Sequence, residues 1–184
     1  HIVQFVEVMQ VNDAKHIVME HIDGVDLMTL VNQSGGLPES LARAIFMQVL
    51  SALRYCHHEA KIVHRDLKPQ NIIVDKLGRV KLIDFGFAHK IEEGATMRCM
   101  CGTPAFAPPC LIAGHCFFGP EIDMWSLGIL LYTMVSSKLP FRDVQQVLQG
   151  TFEEPPVTAE CLDLIHKLLE KDATKRATYE RVVE

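Results

Sequence analysis

The chain has 184 residues, 48% of them hydrophobic and 22% charged, a balance that suits a folded globular unit and excludes a disordered tail. Its net charge of −5 argues against broad attraction to nucleic acid or anionic lipid. The apolar, uncharged stretch Met124 to Ser137 is too short to span a bilayer and predicts a buried helix. His1 to Gln10 has no basic leader or small-residue cleavage site, and six cysteines without a regular spacing predict reduced thiols in a cytoplasmic protein. A first residue other than Met leads us to expect a fragment or a trimmed chain.

Ile2 to Met9 is β-branched and apolar and predicts a strand, with Asn12-Asp13 as a turn and His16 to Met19 as the hairpin partner. Pro38 and Glu39 then mark a helix start. Leu41, Ile45, Val49 and Leu53 recur every four residues, widened by Phe46 and Leu50, which predicts a long helix with a broad buried face. Ile72-Ile73-Val74, a turn at Asp75 to Gly78, and Val80 to Ile83 predict a second hairpin. Most of the remainder reads as helix, including Glu160 to Lys171 with Leu162, Ile165, Leu168 and Leu169 on one side. On that helix Asp163 and Lys167 are spaced for a solvated ion pair.

The second hairpin carries a motif at each end: His64-Arg65-Asp66-Leu67-Lys68-Pro69-Gln70-Asn71 before it and Asp84-Phe85-Gly86 after it. The first supplies a carboxylate that can take or orient a hydroxyl proton. Together they supply an amide and a second carboxylate, hard oxygen donors of the kind that magnesium requires.

These motifs resemble the catalytic loop and metal-binding motif of eukaryotic Ser/Thr protein kinases. Gly102-Thr103-Pro104, Asp123-Met124-Trp125-Ser126-Leu127-Gly128 and Asp172 to Arg176 extend the resemblance to the end of the chain. Gly119 to Asp123 and Val18-Met19-Glu20 are similar to the calmodulin-dependent and AMP-activated group, and the short Phe141 to Pro156 stretch also to PAS-domain kinases. The resemblance implies an α+β kinase fold, with residues 1–22 as the end of the upper lobe and hinge and 23–184 as the mainly helical lower lobe. It implies ATP and Mg2+ as cofactors, protein substrates, and an upstream kinase or regulatory partner.

Residue by residue, the resemblance assigns Asp66 as base or orienting group and Lys68 as the cation that neutralises the transferring phosphoryl group. Asn71 and Asp84 would hold magnesium, and Thr103 would lie at the acceptor strand. The Glu20 carbonyl and Ile22 amide would meet adenine, with Met19 and Ile73 walling its slot. Asp26 would sit near the ribose, or serve only as a helix-start carboxylate. Arg65 would pair with a regulatory phosphate, for which Thr96 is a possible acceptor. Lys68 followed by Pro69 fits Ser/Thr rather than Tyr specificity by the same analogy.

Three departures stand beside the match. No Gly-rich loop, strand Lys or helix Glu precedes His1, so residues 1–184 alone are expected to position ATP poorly. Cys99 stands where this group carries its activating Thr; Cys99 and Cys101 read as free thiols, with a redox or metal pair as the alternative. Pro108-Pro109-Cys110 stands for Ala-Pro-Glu, whose Glu normally pairs with the Arg matching Arg176. Stripping one partner from such a buried pair costs about 3–5 kcal/mol, so Arg176 has another acceptor, reaches water, or weakens the lobe. The competing functional reading is a pseudokinase or scaffold, favoured by Cys99 and Cys110 and disfavoured by the joint presence of Asp66, Lys68, Asn71 and Asp84.

Overall fold

Two β-rich segments flank Asn12-Asp13 and pair as an antiparallel hairpin, β1 (Phe5–Val11) and β2 (Ala14–Met19), in the register Val8↔Ile17. Asn12 takes the left-handed turn conformation (φ 53°) that a short polar side chain tolerates. The computed structural model describes residues 1–91, 101–114 and 119–183, and the backbone of 96–97 and 116–117. Phe5, Val8 and Ile17 are more than half exposed, so this hairpin stands apart from the main core. Ile2, placed by its sequence in the first strand, instead bridges Leu82 in parallel.

After β2 come β3 (Gly24–Asp26), α1 (Leu27–Ser34) and α2 (Glu39–Arg54). Pro38, expected just inside the helix, instead takes the non-helical N-cap position before it, while Glu39 sits at the positive end of α2 as expected. The buried face comprises Ala42, Ile45, Phe46, Val49, Leu50 and Leu53. Leu41 departs from its predicted place and is 39% exposed. A strict four-residue spacing drifts by about 40° per step around a 3.6-residue helix, so the stripe rotates off its first member and Ala42 replaces it.

A π-helical turn, Tyr55–Glu59, ends α2 and turns Cys56 and His57 inward. The chain then forms β4 (Ile62–Val63), a 3₁₀ turn at Pro69–Asn71, β5 (Ile72–Asp75) and β6 (Val80–Leu82). β3, β5 and β6 make one antiparallel sheet in which Ile72 faces Leu82 and Asp26 faces Ile73. Gln48 of α2 grips the turn of the β5–β6 hairpin. Its amide donates to the Gly78 carbonyl (2.9 Å) and its oxygen accepts from the Val80 amide (2.9 Å).

Short elements follow: β7 (His89–Lys90) against β4, β8 (Thr96–Met97), α3 (Pro109–Ile112) and β9 (Cys116–Phe117) against β8. Then α4 (Glu121–Ser136) passes through the middle of the core, buried from Ile122 to Met134, as its uncharged sequence predicts. α5 (Val144–Gln149), α6 (Ala159–Leu168) and α7 (Tyr179–Val183) complete the chain. α6 packs so closely on α4 that a Cβ at Gly128 would lie 2.8 Å from the Leu168 Cβ, so only glycine permits the approach. One large apolar cluster joins Leu27, Phe46, Leu67, Trp125, Ile165 and their neighbours, each fully buried Leu or Ile stabilising by about 1.5–3 kcal/mol relative to exposure. Asp163 and Lys167 pair at 2.6 Å on the exposed face of α6.

Candidate active site

The two motifs meet because the β5–β6 hairpin brings its ends together. The Ile83 amide donates to the Asn71 carbonyl (2.9 Å), placing Asp84 next to the last residue of the first motif. His64 fastens the loop to the same place through its ring nitrogen, 3.0 Å from the Ile83 carbonyl, and its edge meets the Phe85 ring at 4.8 Å.

Asp66 is 3% exposed and almost fully engaged. Thr103 Oγ1 donates to Oδ1 (2.7 Å), while Lys68 Nζ (2.7 Å) and Asn71 Nδ2 (3.0 Å) donate to Oδ2. Lys68 also reaches Thr103 Oγ1 at 2.9 Å, so the His64-to-Asn71 motif and the Gly102-Thr103-Pro104 segment share one network. Burial pushes the Asp66 carboxyl up, but hydrogen bonds from Lys68, Thr103 and Asn71 outweigh it and hold the group below its ordinary value.

Asn71 spends its amide nitrogen on Asp66, both on Oδ2 (3.0 Å) and on the main-chain carbonyl (2.9 Å), so its Oδ1 is the side-chain atom not committed to Asp66. Asp84 is exposed and takes a weak bond from the Gly86 amide at 3.2 Å. An amide oxygen and an accessible carboxylate fit magnesium, which takes few protein ligands and keeps phosphates and water as the rest. Among the described residues no three His, Cys, Asp or Glu side chains converge as a metal cluster. Arg65 (φ 68°) and Asp84 (φ 60°) both adopt left-handed backbone, a concentration of strain at the two motifs.

Beneath the loop lies a support built on the residue that opens the Asp123-to-Gly128 motif, for which the resemblance named no role. Asp123, fully buried at the start of α4, accepts from the His64 amide (2.8 Å), the Arg65 amide (2.9 Å) and His57 Nε2 (2.8 Å). Burial raises its pKa, yet the His57 hydrogen bond and the His57 and His64 contacts prevail, and the carboxyl stays below the usual range. The available signal was an acid in the first turn of an otherwise apolar helix. Gly102, quoted in its motif without a role, has a steric one: at φ 83°, a Cβ there would sit 2.3 Å from the Arg65 carbonyl oxygen.

Between β2 and β3 lie Glu20 and Ile22, the residues expected to meet adenine. Among the described residues, neither the Glu20 carbonyl nor the Ile22 amide has a hydrogen-bond partner. Ile73 is half-buried on β5, whereas Met19 is 48% exposed at the end of β2. Asp26 caps α1, accepting from the Thr29 amide (2.9 Å) and hydroxyl (2.7 Å), which is the helix-start role. Arg65 donates through Nε to the Phe87 carbonyl. Thr96 lies in β8, paired with Phe117, and its side chain falls outside the described residues, as does Cys99 altogether.

Arg176 resolves one of the sequence alternatives. It is 2% exposed and donates to three main-chain carbonyls: Glu170 (2.9 Å), Glu121 (2.7 Å) and Lys171 (3.2 Å). Its guanidinium lies 5.1 Å from the centre of the Trp125 ring. Burial pushes its pKa down to about 10. Cys110 is disulfide-bonded, which corrects the expectation of reduced, unpaired thiols at that position, while Cys56, Cys101 and Cys161 are free.

Comparison with known proteins agrees with this geometry. The family model for the protein kinase domain matches residues 1–184. The chain is 38% identical over 188 residues to NUAK family SNF1-like kinase 2 of Homo sapiens, covering 99% of this chain and 30% of that protein. It is 36% identical over 189 residues to Probable serine/threonine-protein kinase MARK-A of Dictyostelium discoideum, covering 99% of this chain and 18% of that protein. It is also 38% identical over 189 residues to Sperm motility kinase 2B of Mus musculus, covering 99% and 39% respectively. The chain therefore spans well under half the length of these relatives. With the catalytic-loop network in place and the match running from end to end, the chain belongs to the protein kinase domain family.

Proposed function

We propose that the protein containing this chain transfers the γ-phosphoryl group of ATP to serine or threonine hydroxyls of protein substrates. The observation that supports this reading best is the shared network of Asp66, Lys68 and Thr103, which joins a carboxylate, a cation and the acceptor-strand segment within hydrogen-bond distance. The acceptor oxygen forms its bond to phosphorus as the bond to the ADP oxygen breaks, and the hydroxyl proton leaves toward Asp66 or solvent. A depressed pKa keeps Asp66 ionised, so it orients the hydroxyl strongly. Lys68, free to exchange its bond to Thr103 for one to a phosphoryl oxygen, offsets charge as it develops.

Asn71 and Asp84 would hold Mg2+, which when bound screens the phosphate oxygens. The Glu20 carbonyl and Ile22 amide would receive adenine, with Ile73 and Met19 beside it and Asp26 near the ribose. Residues 1–22 then end the upper lobe, and 23–184 form the lower one. Arg65 and Thr96 would answer an upstream kinase.

The test is phosphate transfer from radiolabelled ATP to a mixed Ser/Thr peptide pool by the full-length protein and its Asp66→Asn variant. Loss of at least about 100-fold is expected. Undiminished transfer by the variant removes Asp66 from the reaction, and nucleotide binding without any transfer favours the scaffold.

A further inference from the structure

The side chain of Glu20 takes part in an arrangement that none of the roles above requires. Its Oε1 accepts from Lys81 Nζ at 2.5 Å and from the Gln4 main-chain amide at 2.8 Å. The Glu20 amide returns a bond to the Gln4 carbonyl at 2.9 Å. Lys81 also donates to the Ile2 carbonyl at 3.3 Å. The Leu82 amide bonds the His1 carbonyl (2.7 Å), and the Val3 amide bonds the Leu82 carbonyl (3.0 Å). One carboxylate oxygen therefore ties together the hinge, the segment leading into β1, and strand β6.

Three features indicate that this knot acts on the hinge backbone. Lys81 faces Ile73 directly across the β5–β6 ladder, so the strand that anchors the knot is paired with the one flooring the proposed adenine slot. The ion-paired side chains are only 31% and 29% exposed, so water screens them incompletely. They line a groove of about 730 Å³ together with His1, Ile22 and Asp23, and no residue of the His64-to-Asn71 motif lines it. The Lys81 hydrogen bond, seconded by the Gln4 amide, also holds the Glu20 carboxyl below its ordinary value, which keeps the charge in place.

We propose that Lys81 is a positioning residue: through the Glu20 carboxylate it fixes the hinge backbone and so sets the affinity for adenine nucleotide. The inference rests on the kinase reading above. Holding the Glu20 carbonyl and Ile22 amide at one spacing before the base arrives removes an ordering cost that binding would otherwise bear. Lys81→Met keeps the aliphatic stem and removes only the charge and its donors.

The experiment is titration of full-length protein with a fluorescent ADP analogue, alongside hydrogen exchange at the Gln4 and Glu20 amides in the nucleotide-free state. Lys81→Met should weaken ADP binding by about 3–10-fold and speed exchange at both amides, while Lys81→Arg preserves both readings. The KM for peptide should move less than about twofold, because the acceptor segment is not part of the knot. ADP affinity within twofold of the parent overturns the assignment of Lys81 and leaves the kinase reading standing. A parent protein that binds no ADP overturns both.

Discussion

His57 Nε2 lies 2.8 Å from Asp123 Oδ2, and both side chains are buried under the catalytic loop. The other contacts of that carboxylate are the main-chain amides of His64 and Arg65, so the buried pair forms the foundation of the strained loop rather than part of its chemistry. Asp123→Ala would leave two buried amides and one imidazole without their acceptor. At about 1–3 kcal/mol for each orphaned group, the loss should exceed about 3 kcal/mol in urea unfolding. A loss under about 1 kcal/mol would mean that water or another carboxylate takes over.

Acid should find the same weakness. Asp66 and Asp123 both have folded pKa values below their ordinary ones. Their stabilising contribution is therefore complete above the unfolded value of about 3.9 and drains away as pH falls beneath it through the folded values. Glu121 works in the opposite sense, because burial raises its carboxyl and its ionisation costs stability as pH rises. The urea midpoint should fall steeply only below about pH 4, and Asp123→Asn should flatten that slope. An unaltered slope in the variant would assign acid sensitivity to other carboxylates.

Arg176 lacks the acidic partner that its family position implies, yet it is not loose. Arg176→Met would leave three carbonyls short of a donor and remove the cation from the face of Trp125. A stability loss of about 2–4 kcal/mol is expected. Arg176→Lys should recover little, since one ammonium cannot span three carbonyls in a planar fork. Equal stability of the Met variant in denaturant would show that the three bonds are matched by water.

Gly102→Ala tests the junction of loop and acceptor segment. Its backbone is left-handed, and the added carbon would meet the Arg65 carbonyl at 2.3 Å. The strain of about 1–2 kcal/mol, plus the collision, should displace Thr103 from Asp66. The expected result is a rise in peptide KM together with a stability loss of at least about 1 kcal/mol. A normal peptide KM would show that the segment accommodates the methyl group.

Much of this was legible in the letters. The β5–β6 hairpin was visible as two apolar runs around Asp75 to Gly78, and it forced the flanking motifs to one end. The buried passage of α4 followed from its lack of charge. What stayed hidden depended on main-chain partners. Asp123 serves amides, which no residue code displays, and an acid in a first turn reads by default as a companion to the helix dipole. Arg176 found carbonyls, which every residue carries. Leu41 was misplaced for a geometric reason, since a four-residue spacing imitates a stripe over two turns and leaves it by the third.

The chain contains a single tryptophan, Trp125, sealed at 0% exposure and in contact with the Arg176 guanidinium and the stacked ring of Phe141. Nature has thus installed an optical probe at the centre of the lobe. Its emission should be blue-shifted in the native state and move to longer wavelength when water reaches the indole, reporting disassembly of the core without any added label.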